Sequence, residues 1–161
     1  MIKRIMNVGI VFATGVVAGI MIFKQLKKTA EKNEADKNEI KKERYAKIIE
    51  QWLLIKELNQ GIEHYFEKNG LKRIAVYGYG PLGKHFVRDL NSSGISVEYI
   101  VDRSANVRTG DIPVYSPEDN LPDADIIVVT PILDMQDVKE KMEKKVNCPV
   151  VTLEEVIYEC L

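Results

Sequence analysis

The stretch Val76-Tyr-Gly-Tyr-Gly-Pro-Leu-Gly-Lys-His85 (VYGYGPLGKH) joins two segments of different periodicity. The segment before it, Arg73–Gly78 (RIAVYG), predicts a buried strand that ends in a glycine turn. The segment after it, LGKHFVRDLNSSG, predicts a helix that ends at Gly94. A buried strand that leads directly into a helix is typical of a parallel sheet covered by helices.

The rest of the C-terminal region, residues 71–161, repeats this alternation. Four more strands are predicted at Val97–Asp102, Ile112–Ser116, Ala124–Thr130 and Pro149–Leu153. A helix is predicted over Asp134–Val146, and a short one over the final EEVIYE. Together these segments predict an α/β fold with a single Rossmann-like parallel sheet of about five strands in the order 3-2-1-4-5.

The glycine stretch fits the pattern G-x-G-x-x-G from Gly78 to Gly83, between a strand and a helix as that motif requires. Gly78 permits the tight turn, Gly80 lets the backbone approach a pyrophosphate, and Gly83 lets helix and strand pack closely. Pro81 suits the first helical turn, where its missing N–H costs little. The free N–H groups of that turn would face an anion.

The same letters also fit the phosphate loop G-x-x-x-x-G-K, from Gly78 to Lys84. That loop needs Ser or Thr next to hold magnesium, and position 85 is His. The strand that ends at Thr130-Pro131 carries no acid for the metal. We therefore expect no metal and no NTPase chemistry.

Asp102 supports the dinucleotide interpretation, because it ends the second strand 19 residues after Gly83. An acid at this place binds the ribose hydroxyls. Two alternatives stay open: Asp102 caps a turn and pairs with Arg103, or the fold carries a degenerate, unused site. The predicted contacts to NAD(P) or a nucleotide-sugar are Gly78, Tyr79, Gly80, Pro81, Leu82, Gly83, Asp102, Arg103 and Thr130.

Residues for catalysis are harder to find. A dehydrogenase needs a substrate domain or the second half of the fold, and no Tyr-x-x-x-Lys pair is present. His64 is expected to be partly exposed and inert. His85 is expected to lie on the surface of the helix, and the alternative is that it approaches the phosphates of a ligand. Cys148 and Cys160 are expected to be reduced thiols in or near the core. We name no catalytic residue and leave enzymatic activity uncertain.

The N-terminal region, residues 1–23, predicts a single-pass membrane anchor. Ile5–Phe23 contains no charged residue and spans roughly 28 Å as a helix, close to the thickness of a bilayer core. The alternative is a cleaved signal peptide. Lysines concentrate after Phe23, which predicts a cytoplasmic C-terminal domain at the cell membrane. Gly15 and Gly19 form a GxxxG pair that suits a homodimer.

Two helical segments follow the anchor. Residues 24–44 are highly charged with both signs mixed, which predicts a solvated helical stalk rather than a coiled coil. Residues 45–70 predict an amphipathic helix that docks on the next domain, interrupted near Gly61 and ended by Asn69-Gly70. Trp52 is expected to pack there. The net charge of −1 gives no reason to expect nucleic acid as a partner.

Residues 73–130 resemble a group of Rossmann-like domains in bacterial polysaccharide-biosynthesis proteins. These are the N-terminal domains of nucleotide-sugar epimerase/dehydratases and of sugar acetyltransferases. The matching features are the glycine loop, the strand ending at Asp102, the segment Gly110–Ser116 (GDIPVYS) and the strand ADIIVVT. The resemblance implies a pyridine-nucleotide or nucleotide-sugar ligand at Gly78, Gly80, Gly83 and Asp102. It also implies a place in cell-envelope glycan assembly.

The chain departs from that group because no catalytic domain follows the resembling region. Any activity would then belong to a partner, such as a membrane enzyme of glycan biosynthesis. The leading hypothesis is a membrane-anchored, non-catalytic nucleotide-binding module. The alternatives are an NAD-responsive sensor, similar to the NAD-binding domains that gate potassium transporters, and a small oxidoreductase completed by a partner subunit.

Overall fold

The computed structural model describes residues 2–91, 93–104 and 107–161, with side chains from Met21 onward. The chain divides into two compact units, one up to Lys42 and one over Glu43–Leu161. Helix α1 (Ile2–Glu57) contributes to both units. The described side chains from Met21 to Arg44 are all exposed.

No helix in the described part of the chain has an apolar stretch long enough to cross a membrane. Most of the predicted anchor, Ile5–Phe23, lies outside the residues whose side chains are described. Gly15 and Gly19 lie there too. The anchor and its dimer contact therefore stay predictions.

The second unit is built on a five-stranded, wholly parallel sheet in the order β3-β2-β1-β4-β5. The strands are β1 (Arg73–Tyr77), β2 (Ser96–Val101), β3 (Val114–Tyr115), β4 (Ile126–Val129) and β5 (Val150–Thr152). This confirms the predicted α/β fold and strand order. Every residue of β4 is buried, which explains its uninterrupted apolar sequence.

Four helices complete this unit: α2 (Glu63–Lys68), α3 (Pro81–Leu90), α4 (Met135–Glu143) and α5 (Leu153–Glu159). Two of them are shorter than predicted. Helix α3 ends at Leu90 rather than Gly94, because both the N–H and the hydroxyl of Ser93 donate to the Leu90 carbonyl. Helix α4 ends at Glu143 rather than Val146, because the Lys145 N–H donates to the Met142 carbonyl three residues back, a tighter turn than that of an α-helix.

The docking segment is broken between α1 and α2, over residues 58–62. The break includes Gly61, as the sequence predicts, and its left-handed residue is Asn59, with φ of 54°. Asn tolerates this conformation better than most residues. Trp52 is buried against Phe86 of α3, with ring centroids 6.5 Å apart, and its indole N–H donates to Asp89 at 2.9 Å. Trp52 is therefore a packing residue, as the sequence predicts.

Cys148 and Cys160 are both free thiols, half-buried and buried respectively. Burial raises the pKa of each thiol. Both positions agree with the expectation of reduced cysteines in or near the core.

Candidate functional site

The glycine loop begins with a turn that only glycine fits. Gly78 follows β1 directly, has φ of 91°, and donates its N–H to the Val101 carbonyl at 2.8 Å. A Cβ on Gly78 would lie 2.9 Å from both Thr130 Oγ1 and Pro131 Cγ. Left-handed backbone and close neighbours therefore both require glycine here.

Gly83 is required for a different reason. It lies in the first turn of α3, and a Cβ there would come within 2.1 Å of the Gly78 carbonyl oxygen. No real Cβ approaches that closely. Gly83 thus lets α3 cross the end of β1 closely, as the sequence predicts.

Gly80 differs from the other two glycines, because the protein itself does not require it. It is the N-cap of α3, in an extended conformation with φ of −70°. A Cβ added there would meet no described atom within 4 Å. The space beside Gly80 is open, in front of the free N–H groups of the first helical turn.

The neighbours of Gly80 divide between surface and core. Pro81 is the first residue of α3 and is exposed, whereas Leu82 is buried, so only its backbone faces the loop. Tyr79 is half-buried, and the Lys84 ammonium lies 5.8 Å from the centre of its ring. Lys84 therefore places a positive charge beside the loop.

Asp102 lies just past β2 and bonds to backbone. Its Oδ2 accepts the Tyr79 N–H at 2.8 Å, and its Oδ1 accepts the Ser104 N–H at 2.8 Å. The carboxylate thus joins the glycine loop to the turn after β2. This is the turn-capping alternative that the sequence left open, extended by a bond to the loop.

Thr130 holds the loop from behind. Its side chain is buried, and its hydroxyl lies 2.8 Å from the Gly78 carbonyl and 3.2 Å from the Tyr77 carbonyl. One hydroxyl proton is shared between these two acceptors. The predicted contact of Thr130 with a ligand stays a prediction, and within the protein its hydroxyl bonds to the loop backbone.

A cleft of about 630 Å³ opens at the same edge of the sheet, on the side of α4. Its lining includes the last residue of β1 and residues that follow β2, β3 and β4. We call it the switch-point cleft, because the strand order reverses between β1 and β4. Its lining includes Tyr77, Arg103, Glu118, Asp134, Lys141 and Lys145. Its size is typical of small-molecule sites.

Of these cleft residues, sequence reasoning named only Arg103. The sequence marks Tyr77 only as a strand residue, but Tyr77 lines the cleft together with Arg103. Burial raises the pKa of Tyr77, and the positive charge of Arg103 acts in the opposite direction. Glu118 and Asp134 lie in the segments that follow β3 and β4. That position is the signal by which the sequence could have identified them as cleft residues.

Other candidate groups lie elsewhere. His85 lines a shallow groove between α1 and α3, together with Trp52 and Arg88, rather than the phosphate side of the loop. No group of three or more His, Cys, Asp or Glu side chains within the described ranges could hold a metal. The arrangement is suited to holding an anion beside Gly80 and a polar group in the cleft.

Comparisons with known proteins leave the resemblance to polysaccharide-biosynthesis domains as a prediction, because neither the family models nor the curated proteins contain a match to this chain.

Proposed function

We propose that this protein is a membrane-anchored, non-catalytic Rossmann module that binds a dinucleotide or nucleotide-sugar. It would act at the cytoplasmic face, as an accessory to a membrane enzyme of cell-envelope glycan biosynthesis. The observation that carries the nucleotide part is the open space beside Gly80. The anchor and the glycan pathway rest on the sequence alone.

The three glycines support this proposal by their differences. Gly78 and Gly83 are explained by the turn and by helix packing. Gly80 has no such explanation, since a larger residue would fit the protein without a clash. Glycine is also an acceptable N-cap, and close approach of a phosphate to the backbone is a second physical reason for glycine in the middle of this motif.

The surroundings of the loop support an anionic ligand that continues into a polar cleft. Lys84 lies beside the loop, and α3 directs free N–H groups outward from its first turn. The switch-point cleft starts at Tyr77, the residue before Gly78. A phosphate at the loop and a nucleoside or sugar in the cleft would fit this order.

A second candidate, the NAD-responsive sensor, is favoured by one contact. Arg44 of α1 donates to the Ile132 carbonyl at 3.4 Å, in the segment that follows Thr130 and Pro131. Thr130 and Pro131 are the residues that a Cβ on Gly78 would contact. The helix that continues toward the N-terminus thus contacts the segment that supports the glycine loop.

The test uses the full chain in detergent and isothermal titration with NAD(H), NADP(H), UDP-glucose and dTDP-glucose. Gly80→Asp and Gly80→Asn form a matched pair, since both side chains are equally good N-caps and have the same shape. They differ in one negative charge. We expect Gly80→Asp to bind at least about tenfold more weakly than Gly80→Asn, because the added carboxylate repels phosphate.

Both variants should keep the thermal stability of the parent protein, because the added side chain enters open space. Equal affinity of the two variants would place the ligand away from Gly80. Failure of all four ligand types to bind the folded chain would reject the nucleotide proposal.

A further inference from the structure

At the end of β2, both carboxylate oxygens of Asp102 are bonded to the protein's own backbone. In a dinucleotide site, the acid at this position accepts hydrogen bonds from the ribose hydroxyls. Here each carboxylate oxygen of Asp102 already accepts a backbone N–H at 2.8 Å, from Tyr79 on one side and Ser104 on the other. These are short, charge-assisted bonds.

The two bonds have a clear structural purpose. Tyr79 lies between Gly78 and Gly80, so the bond to its N–H fixes the middle of the glycine loop. The bond to Ser104 closes the turn after β2. Asp102 thereby ties together the two segments that would border the ribose.

Arg103 is the side chain at this strand end that enters the cleft. It is exposed and lines the cleft next to Tyr77. The other cations there are Lys141 and Lys145, and Lys145 already donates to the Pro117 carbonyl. Three acids, Glu118, Asp134 and Asp137, balance the charge of the cleft as a whole.

A guanidinium at the end of β2 is suited to a phosphate on the ribose. Arg binds phosphate with two parallel hydrogen bonds, and an Arg near this strand end is the usual partner of a 2′-phosphate. Asp102 would oppose such a phosphate if its carboxylate were turned freely to the ligand. Its two backbone partners instead hold it against the loop and the turn.

We infer that Asp102 is a positioning residue for the glycine loop and that Arg103 selects the ligand, so that the site prefers adenosine carrying a 2′-phosphate. This inference rests on the proposed nucleotide-binding function. The sequence predicts a ligand contact for both Asp102 and Arg103, whereas this inference gives the loop to Asp102 and the ligand to Arg103. It also names NADP(H), rather than NAD(H), as the class of dinucleotide bound.

The experiment compares NADP⁺ and NAD⁺ by isothermal titration on the full chain in detergent. The parent protein should bind NADP⁺ about tenfold more tightly than NAD⁺. Arg103→Gln should remove that preference by weakening NADP⁺ alone. Arg88→Gln, which removes the same charge from the last turn of α3, should leave both affinities unchanged.

Asp102→Asn tests the positioning role. An Asn side chain keeps one acceptor oxygen, so one of the two backbone N–H groups would face an amide NH₂. Both dinucleotides should therefore bind more weakly by the same factor, and the thermal midpoint should fall. If the variant does not fold, the Arg103→Gln result still decides the selectivity.

Tighter binding of NAD⁺ than NADP⁺, with Asp102→Asn weakening NAD⁺ selectively, would overturn the inference and leave the proposed function standing. An unchanged preference in Arg103→Gln would also overturn it. If neither dinucleotide binds a chain with a normal thermal transition while a nucleotide-sugar does, only this inference fails. If no nucleotide binds, both fail.

Discussion

Replacing Gly83 by Ala should destabilise the second unit, whereas the same change at Gly80 should not. The new Cβ at position 83 would lie 2.1 Å from the Gly78 carbonyl oxygen, against a practical limit of 3.0 Å. To relieve this contact, α3 and the end of β1 would have to move apart by about 0.9 Å.

The carbonyl of Gly78 has little freedom to make that movement. It accepts the Thr130 hydroxyl at 2.8 Å, and the N–H of the same residue donates to Val101 at 2.8 Å. Forced overpacking costs about 1–3 kcal/mol, and a clash with fixed backbone belongs at the upper end. Alanine regains about 1 kcal/mol of helix propensity. The net loss is about 2 kcal/mol, or roughly 8 °C in the thermal midpoint.

Gly80→Ala is the matched control. Its Cβ meets no described atom within 4 Å, so no packing cost arises. Alanine is a poorer N-cap than glycine by roughly 0.7 kcal/mol, and the lower conformational entropy of its unfolded chain offsets that by about 0.4–1 kcal/mol. The thermal midpoint should therefore stay within about 2 °C of the parent protein.

Trp52 provides the assay for both variants. It is the only tryptophan in the chain and packs on Phe86 of α3. Its fluorescence during heating reports the unfolding of the unit that contains the glycine loop, with no contribution from the N-terminal part of α1. If Gly83→Ala melts within about 2 °C of the parent, or if both variants lose equal stability, the assignment of separate roles to the two glycines is wrong.

Three other changes test parts of the same unit. Thr130→Val removes the hydroxyl that bonds Gly78 and Tyr77, and should cost about 1–3 kcal/mol in urea unfolding; an unchanged midpoint would show that the loop does not need it. Asp89→Ala leaves the Trp52 indole N–H without this acceptor, and should shift Trp52 emission to longer wavelength in the folded state; unchanged emission would contradict a specific bond. The backbone N–H groups of Lys72 and Arg73 lower the pKa of Asp125 below its ordinary 3.8, so its stabilisation holds above that pH and is lost as the pH falls through the lowered value. Urea midpoints measured down to about pH 2 should therefore fall less in Asp125→Asn than in the parent, and equal slopes would refute the shift.

The sequence predicts the sheet and the loop because their signals are local. Strand β4 is buried on both faces, so four consecutive apolar residues reveal it. The glycine spacing reveals the turn, because Gly78 needs a positive φ and Gly83 has no room for a Cβ. Each requirement leaves a residue type at a fixed place in the chain.

The site is less predictable because its contacts join distant segments. Nothing in the letters near Asp102 shows that its carboxylate meets Tyr79, 23 residues earlier. The sequence places the break of the docking helix near Gly61 correctly, but nothing in it shows that Asn59 takes the left-handed conformation. Tyr77 looks like an ordinary strand residue until the chain after β3 and the helix after β4 enclose it.

The glycine motif thus combines two kinds of requirement that its spacing alone cannot separate. Gly78 and Gly83 are required by atoms of this protein, and would be required in a scaffold that bound nothing. An unused site would therefore keep those two residues and tolerate any small N-cap at position 80. The bonds of Asp102 and Thr130 stabilise the loop whether or not a ligand binds, so neither residue separates the two cases. Gly80 is therefore the position where the difference between a binding module and a bare fold can be measured.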